Sequence, residues 1–306
     1  MCRLRRQLLL GVVFVLVEAG SWLGAIQLWA AENSHAASDR PRIVTSILPV
    51  YCLTRAVAGR QAGLDNLLAA GADAHDFQLT RRERQLIDSA DLLILNGLGM
   101  EQWLEKALRN VRPGLTIVEA AAGLGRVPGA ARSGRNSQPN PHIWLDPVLA
   151  CGMVTNILRA LQVADPARAS TYASNAAVCV SELLKLDAEF RKRLAPFRNT
   201  PIVTHHDAFD HFARRYELRV VAVIEEVPDV EPTFSHLGAV AKAVRENGVK
   251  VIFTEPHHSG RLAQRLAADL NVRVVQLDTL ESGPLRPTAY EEAMLANLGV
   301  LEQSLK

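Results

Sequence analysis

The chain has little cysteine and almost no net charge. Lys and Arg together number 34 against 32 acidic residues, a balance of +2 over 306 residues, which excludes the strongly basic surface that nucleic acid needs in a main partner. No cysteine stands where a lipid-attachment site would follow an export signal, because Cys2 comes too early. The first long apolar run, residues 8–17, is broken by Glu18 and falls short of the ~20 residues that a membrane-spanning helix requires. Close internal repeats are also missing, and residues 123–139 hold no histidine although the chain has 9.

What is present begins with a basic, apolar and small-residue succession: Arg3, Arg5 and Arg6, the run 8–17, then Ala30, Ala31 and Ala36. That order reads as a secretory signal over residues 1–30, with an uncleaved membrane anchor as the alternative. A soluble exported protein, periplasmic and close to neutral once cleaved, is the expectation. Cys52, Cys151 and Cys179 would remain in that oxidising compartment. Their odd number, and the placing of Cys151 and Cys179 on apolar helix faces, favour buried free thiols over a disulfide framework.

The stretch 165–196 predicts one long helix. Tyr172, Ala176, Cys179 or Val180, Leu183, Leu186, Phe190 and Leu194 recur at spacings of three and four. Asp165 and Pro166 suit its start and Pro196 its stop. Short apolar runs alternate with helical patterns on both sides: 43–48, 64–70, 91–96 and 115–119 before the helix, and 201–204, 219–224, 249–254 and 272–277 after it. The reading is therefore α/β, with two lobes that each hold a mainly parallel sheet flanked by helices, joined by one long rigid helix. Residues 42–164 form the N-terminal lobe, 165–196 the linking helix and 197–306 the C-terminal lobe. Local signals are specific. Thr80 with Glu83 makes a capping box, Asp146 with Pro147 and Asp207 are placed to cap helices, and Asn247-Gly248 closes one.

Ligands of open parallel sheets lie beyond the carboxyl ends of the strands. Four polar residues answer that description: His75 in GADAHDF, His142 in NPHIWLDP, His206 in VTHHDAF and Asp278 in VVQLDTL. Three imidazoles and a carboxylate make a four-coordinate site for a borderline divalent cation, although such wide spacing is not diagnostic by itself. His205 is an alternative to His206 on spacing. Asp146 and Asp207 could orient a ligand imidazole, Trp144 could shield it, and Glu255, His257 and His258 could line the cleft.

The segments IVTSILPVY, GADAHDFQLT, ADLLILNGLGMEQWLEKAL, NPHIWLDP, VTHHDAFDHFARRYEL, VIFTEPHHS and VVQLDTL resemble, in order and spacing, the metal-binding solute-binding proteins of zinc and manganese ABC importers. The resemblance covers residues 42–305 and implies a metal held between two lobes by His75, His142, His206 and Asp278. It also favours His206 over His205. It implies a non-enzymatic monomeric receptor that hands Zn2+, or alternatively Mn2+, to a membrane permease and its ATPase. An imidazole at position 206 favours zinc, whereas a first-ligand loop with Ala74 and Leu79 in place of prolines, and a loop 123–139 without histidine, depart from the family pattern. The rival reading is a zinc hydrolase with three histidine ligands, an open fourth position, and Asp207 or Glu255 as general base.

Overall fold

The computed structural model describes residues 40–60, 62–125, 139–226, 230–256 and 260–306. The expected export signal, most of the loop 123–139, and His257 and His258 lie outside the described residues. In chain order the first half contains β1 (Ile43–Thr45), α1 (Leu48–Ala58), β2 (Leu64–Asn66), α2 (Arg81–Ser89), β3 (Leu92–Leu95), α3 (Glu105–Leu108) and β4 (Thr116–Glu119). Two long helices follow, α4 (Pro147–Ala164) and α5 (Ala169–Leu194). The second half contains β5 (Pro201–Thr204), α6 (Asp210–Arg215), β6 (Arg219–Val223), α7 (Phe234–Asn247), β7 (Val251–Thr254), α8 (Arg261–Leu270), β8 (Arg273–Gln276) and α9 (Ala289–Ser304).

Both sheets are wholly parallel and share one strand order, β2-β1-β3-β4 and β6-β5-β7-β8. In each, the first strand lies inside and the chain steps to one side and then to the other, so a switch point opens beside β1 and beside β5. The same architecture thus recurs without a sequence repeat.

Local chemistry explains the helix boundaries. Thr80 and Glu83 form the reciprocal capping box that starts α2. The Asp146 carboxylate accepts the Val148 and Leu149 amides at the start of α4, and Gly248, at φ +65°, closes α7 in the left-handed conformation that glycine tolerates. Asp165 departs from its expected capping role. A single 3-10 turn, Pro166–Arg168, intervenes before α5, and the carboxylate instead accepts from the Tyr172 hydroxyl and Arg168, each at 2.7 Å. Asp207 likewise opens a 3-10 turn, Asp207–Phe209, as its first residue rather than preceding it as a cap.

With 26 residues, α5 is ~39 Å long. It buries Tyr172, Ala176, Cys179, Leu183, Leu186, Phe190 and Leu194, the stripe expected from spacing. One continuous apolar core runs along it and takes in α1, α4 and α9 together with inward-facing strand residues of both sheets. Smaller clusters fill the outer faces, Val44, Leu93 and Leu104 in the first half and Val203, Ile252 and Val244 in the second. The last helix, α9, packs back on both α5 and α1. Cys52, Cys151 and Cys179 are free thiols, and burial pushes Cys52 and Cys179 up to about 12.

Phe190 is fully buried and meets the rings of Phe212 and Tyr216 at 5.4 and 5.1 Å, joining the strut to the second half. Replacing Phe190 by alanine should cost about 3–5 kcal/mol of unfolding free energy, read from the midpoint shift in denaturant titration.

Candidate metal centre

Three histidines from separate parts of the chain meet. His142 Nε2 lies 3.3 Å from His75 Nε2 and 3.2 Å from His206 Nε2. The fourth donor is Glu281. Its Oε1 stands 3.0 Å from His142 Nε2, 3.4 Å from His206 Nε2 and 3.5 Å from His75 Nε2. All four donor atoms lie within 4.8 Å of one another. Ligands at 2.0–2.1 Å from a tetrahedral zinc ion are separated by about 3.3 Å along each edge, close to the separations of His142 Nε2 and Glu281 Oε1 from each other and from the other two nitrogens.

Asp278, the carboxylate expected in this position, is not a member of the group. Its Oδ1 accepts the Leu280 amide at 2.8 Å, closing a tight turn in which Leu280 adopts φ +61°. The Asn297 side chain pins the same residue, accepting from the Asp278 amide and donating to its carbonyl. This turn carries the chain past the strand tip and delivers Glu281 three residues later. Two carboxylates so close together in LDTLES were the available sequence signal, and the strand-end rule chose the first of them.

Each imidazole is held by its own surroundings. His75 is the most exposed of the three, with 17% of its side chain accessible. Its loop is fixed without prolines: the Asp73 carboxylate accepts the amides of His75 and Asp76, Trp103 donates its indole N–H to the Ala74 carbonyl, and Phe77 packs edge-on against Trp103 at 5.0 Å. His142 precedes a 3-10 turn, Ile143–Leu145, and both its amide and its Nδ1 meet Asn140 Oδ1, at 3.0 and 2.7 Å. His206 follows β5, and its Nδ1 lies 2.5 Å from Glu255 Oε1. The neighbouring His205 points elsewhere, with Nε2 3.4 Å from Glu225. Trp144 is fully buried beside His142, at 5.2 Å between rings.

The segment carrying His142 is bonded mostly to the second half, although Asn96 of the first half donates to the Pro141 carbonyl at 3.0 Å. Asn140 donates its side-chain amide to the Asp207 carbonyl, and its own carbonyl accepts from His211 Nε2 at 3.1 Å. Trp144 donates to the Thr279 carbonyl at 2.9 Å, Tyr290 donates its hydroxyl to the Trp144 carbonyl at 2.7 Å, and Arg215 Nε meets Asp146 at 2.8 Å. Asp146 thus caps α4 and anchors Arg215, and has no bond to a ligand imidazole among these contacts. Sequence reasoning passed over Asn140 and Arg215, since neither stands out by residue type.

The electrostatics suit a cation. Glu281 Oε1 is buried yet makes no hydrogen bond of acceptable geometry among the described residues, although three imidazole nitrogens surround it. Burial alone would raise the Glu281 carboxyl, but those imidazoles hold it well below the usual carboxylate range. Burial also drives His142 down to about 4, against the opposing pull of Glu281. His206 is buried too, but the carboxylates of Glu255 and Glu281 outweigh desolvation and push it up to about 10. With four protein donors in place, the arrangement can seize an ion from all sides. It leaves no protein-free position of the kind at which a catalytic zinc activates water.

The chain is similar to known metal-binding proteins. Residues 43–304 match the family model described as ZnuA, zinc-uptake complex component A, periplasmic. The zinc-binding lipoprotein AdcA of Streptococcus pneumoniae is 29% identical over 294 residues, covering 93% of this chain but 58% of AdcA. The chain therefore spans little more than half the length of that relative. The Zn(II)-bound AdcA crystal structure superposes with a TM-score of 0.71 over 87% of this chain and 58% of that one. The high-affinity zinc uptake system protein ZnuA of Bacillus subtilis is 28% identical over 287 residues, 89% of this chain and 90% of that one. FpvC from Pseudomonas aeruginosa, solved with Mn2+, is 28% identical with a TM-score of 0.78, over 87% of this chain and 98% of that one.

Paired substitutions separate the two carboxylates. With Zn2+ as the probe, Glu281→Gln should weaken binding by about 100-fold or more, whereas Asp278→Asn should stay within a few-fold of wild type, both measured by chelator competition.

Proposed function

Because the chain belongs to the family of the periplasmic zinc-uptake component A, we propose that it is the extracytoplasmic receptor of a zinc ABC importer, using His75, His142, His206 and Glu281 to capture Zn2+ and deliver it to a membrane permease driven by an ATPase. The observation that carries this reading is the cluster of three imidazole nitrogens and one carboxylate oxygen within 4.8 Å of one another. Three nitrogen donors and only one oxygen favour zinc over the harder, oxygen-preferring Mn2+. The saturated donor set argues for holding and handing over the ion rather than for hydrolysis. The names and structures of the AdcA and ZnuA relatives support the same cargo, and the proposed export signal in residues 1–30 would put the receptor on the side of the membrane where the ion arrives.

Release follows from how the donors are mounted. His142, His206 and Glu281 are tied together through the bonds of residues 140–146 to the second half, so separating the lobes would break that whole set. The His75 loop is the more accessible part of the site. Movement of that loop, with at most a small tilt of the lobes, gives the ion its passage.

Three results would test the reading. Wild-type protein should bind one zinc per molecule, lose it in His142→Ala, and prefer Zn2+ to Mn2+ at equal free concentration; the reverse preference would reassign the cargo. Protons compete with the ion for the same nitrogens, and His206, pushed up to about 10 by its carboxylates, carries a proton that zinc must expel. Apparent zinc affinity should therefore fall steadily as pH is lowered from about 8 to about 5, in calorimetric titration. Scattering curves with and without zinc should nearly coincide, whereas a wide opening on metal removal would count against release by loop movement.

A further inference from the structure

Glu255 belongs to the site without being one of its donors. It is buried, its side chain 5% exposed, and its Oε1 lies 2.5 Å from His206 Nδ1. Sheet register brings the two together. β5 and β7 run parallel with Val203 opposite Ile252 and Thr204 opposite Phe253. Continued two residues past the Thr204–Phe253 pair, that register sets His206 opposite Glu255. A carboxylate only accepts, so Nδ1 keeps its hydrogen, and it is Nε2 that gives up its proton and offers its lone pair when an ion enters. The other fully buried imidazole is treated differently, since His142 Nδ1 is held by the neutral amide of Asn140.

Building on the zinc-capture reading, we propose that Glu255 is a positioning residue that makes His206 the strongest nitrogen donor of the site and thereby sets its preference for Zn2+ over Mn2+. A carboxylate bonded to the far nitrogen of an imidazole fixes the ring's orientation and tautomer and raises its donor strength. Greater nitrogen donation benefits zinc, the stronger acceptor of imidazole, more than manganese, which draws its binding from oxygen. An amide on His142 lends orientation without the same charge. The site therefore contains one charge-backed and one neutral-backed imidazole.

The test is Glu255→Gln, whose amide oxygen can still accept the Nδ1 hydrogen while its charge is gone. Zinc affinity should fall about 10- to 100-fold and manganese affinity less, so that the ratio of the two shrinks by roughly tenfold, with partial recovery in Glu255→Asp. In Co2+-loaded protein the visible ligand-field bands should shift between wild type and Glu255→Gln, a change that looser packing alone would not produce. An unchanged Zn2+ to Mn2+ ratio would overturn the proposal while leaving zinc capture standing. Wild-type protein that bound no zinc would overturn both. Should Glu255→Gln not fold, nitrogen-edited spectra of zinc-loaded wild type decide: a strongly downfield His206 Nδ1 proton supports the assignment, and metal bonded at Nδ1 refutes it.

Discussion

Three imidazole nitrogens and a carboxylate oxygen crowded within 4.8 Å of one another call for a positive charge among them, whether a proton or an ion. The rest of the molecule works to maintain that crowding. Nε2 of His142 approaches two other imidazole nitrogens at 3.2 and 3.3 Å and a carboxylate oxygen at 3.0 Å, and relaxation by a few tenths of an ångström would blunt the attraction for an ion. The backing interactions prevent that relaxation. Asn140 steadies one ring and Glu255 another, Asp73 and Trp103 brace the loop of the third, and the turn closed by Asp278 presents the carboxylate. Proton and metal are alternatives here: without the ion, the site keeps a hydrogen on His206 to soften the crowding.

The two halves contribute unequally. Their sheets share one strand order, yet the short segment 140–146, which precedes the long helices, is bonded chiefly to the second half. Thus the first half supplies two ligands by sequence but only the His75 loop as an independent mechanical part. The continuous core along α5, with α9 returning across α1, resists any hinge that would part the sheets. In the proposed role of a receptor, such a build would leave the His75 loop to move over a stiff frame.

Much of this was legible beforehand because it is local. Periodicity in residues 165–196 located the strut, the Thr80 and Glu83 pair marked a helix start, and Asn247-Gly248 marked a stop, since each depends on bonds between residues a few positions apart. The three histidines were found by a rule about strand ends that local patterns support. Glu281 escaped that rule. Whether a chain leaving β8 uses its first or its second carboxylate depends on Leu280 adopting a left-handed backbone and on Asn297, from α9, holding Asp278 by both its amide and its carbonyl. Asn140 was missed for a similar reason, as its bonds to Asp207 and His211 exist only once the halves have come together. Asp165 shows a further kind of difference, where a hydroxyl seven residues along, from Tyr172, claimed a side chain suited to capping.

The return of α9 across α1 also bears on how the molecule is made. Cys52 on α1 reaches the carbonyl of Arg286 just before α9, one of the most distant pairings in the chain, and Glu281 is the last of the four donors in sequence order. A polypeptide emerging from its amino end exposes its histidines early, as scattered weak chelators, and only after nearly all of it has been released can the carboxylate join them. Contacts of such long range form slowly. On the proposed ligand set, the complete group of four donors therefore exists only in a chain whose folding is all but finished.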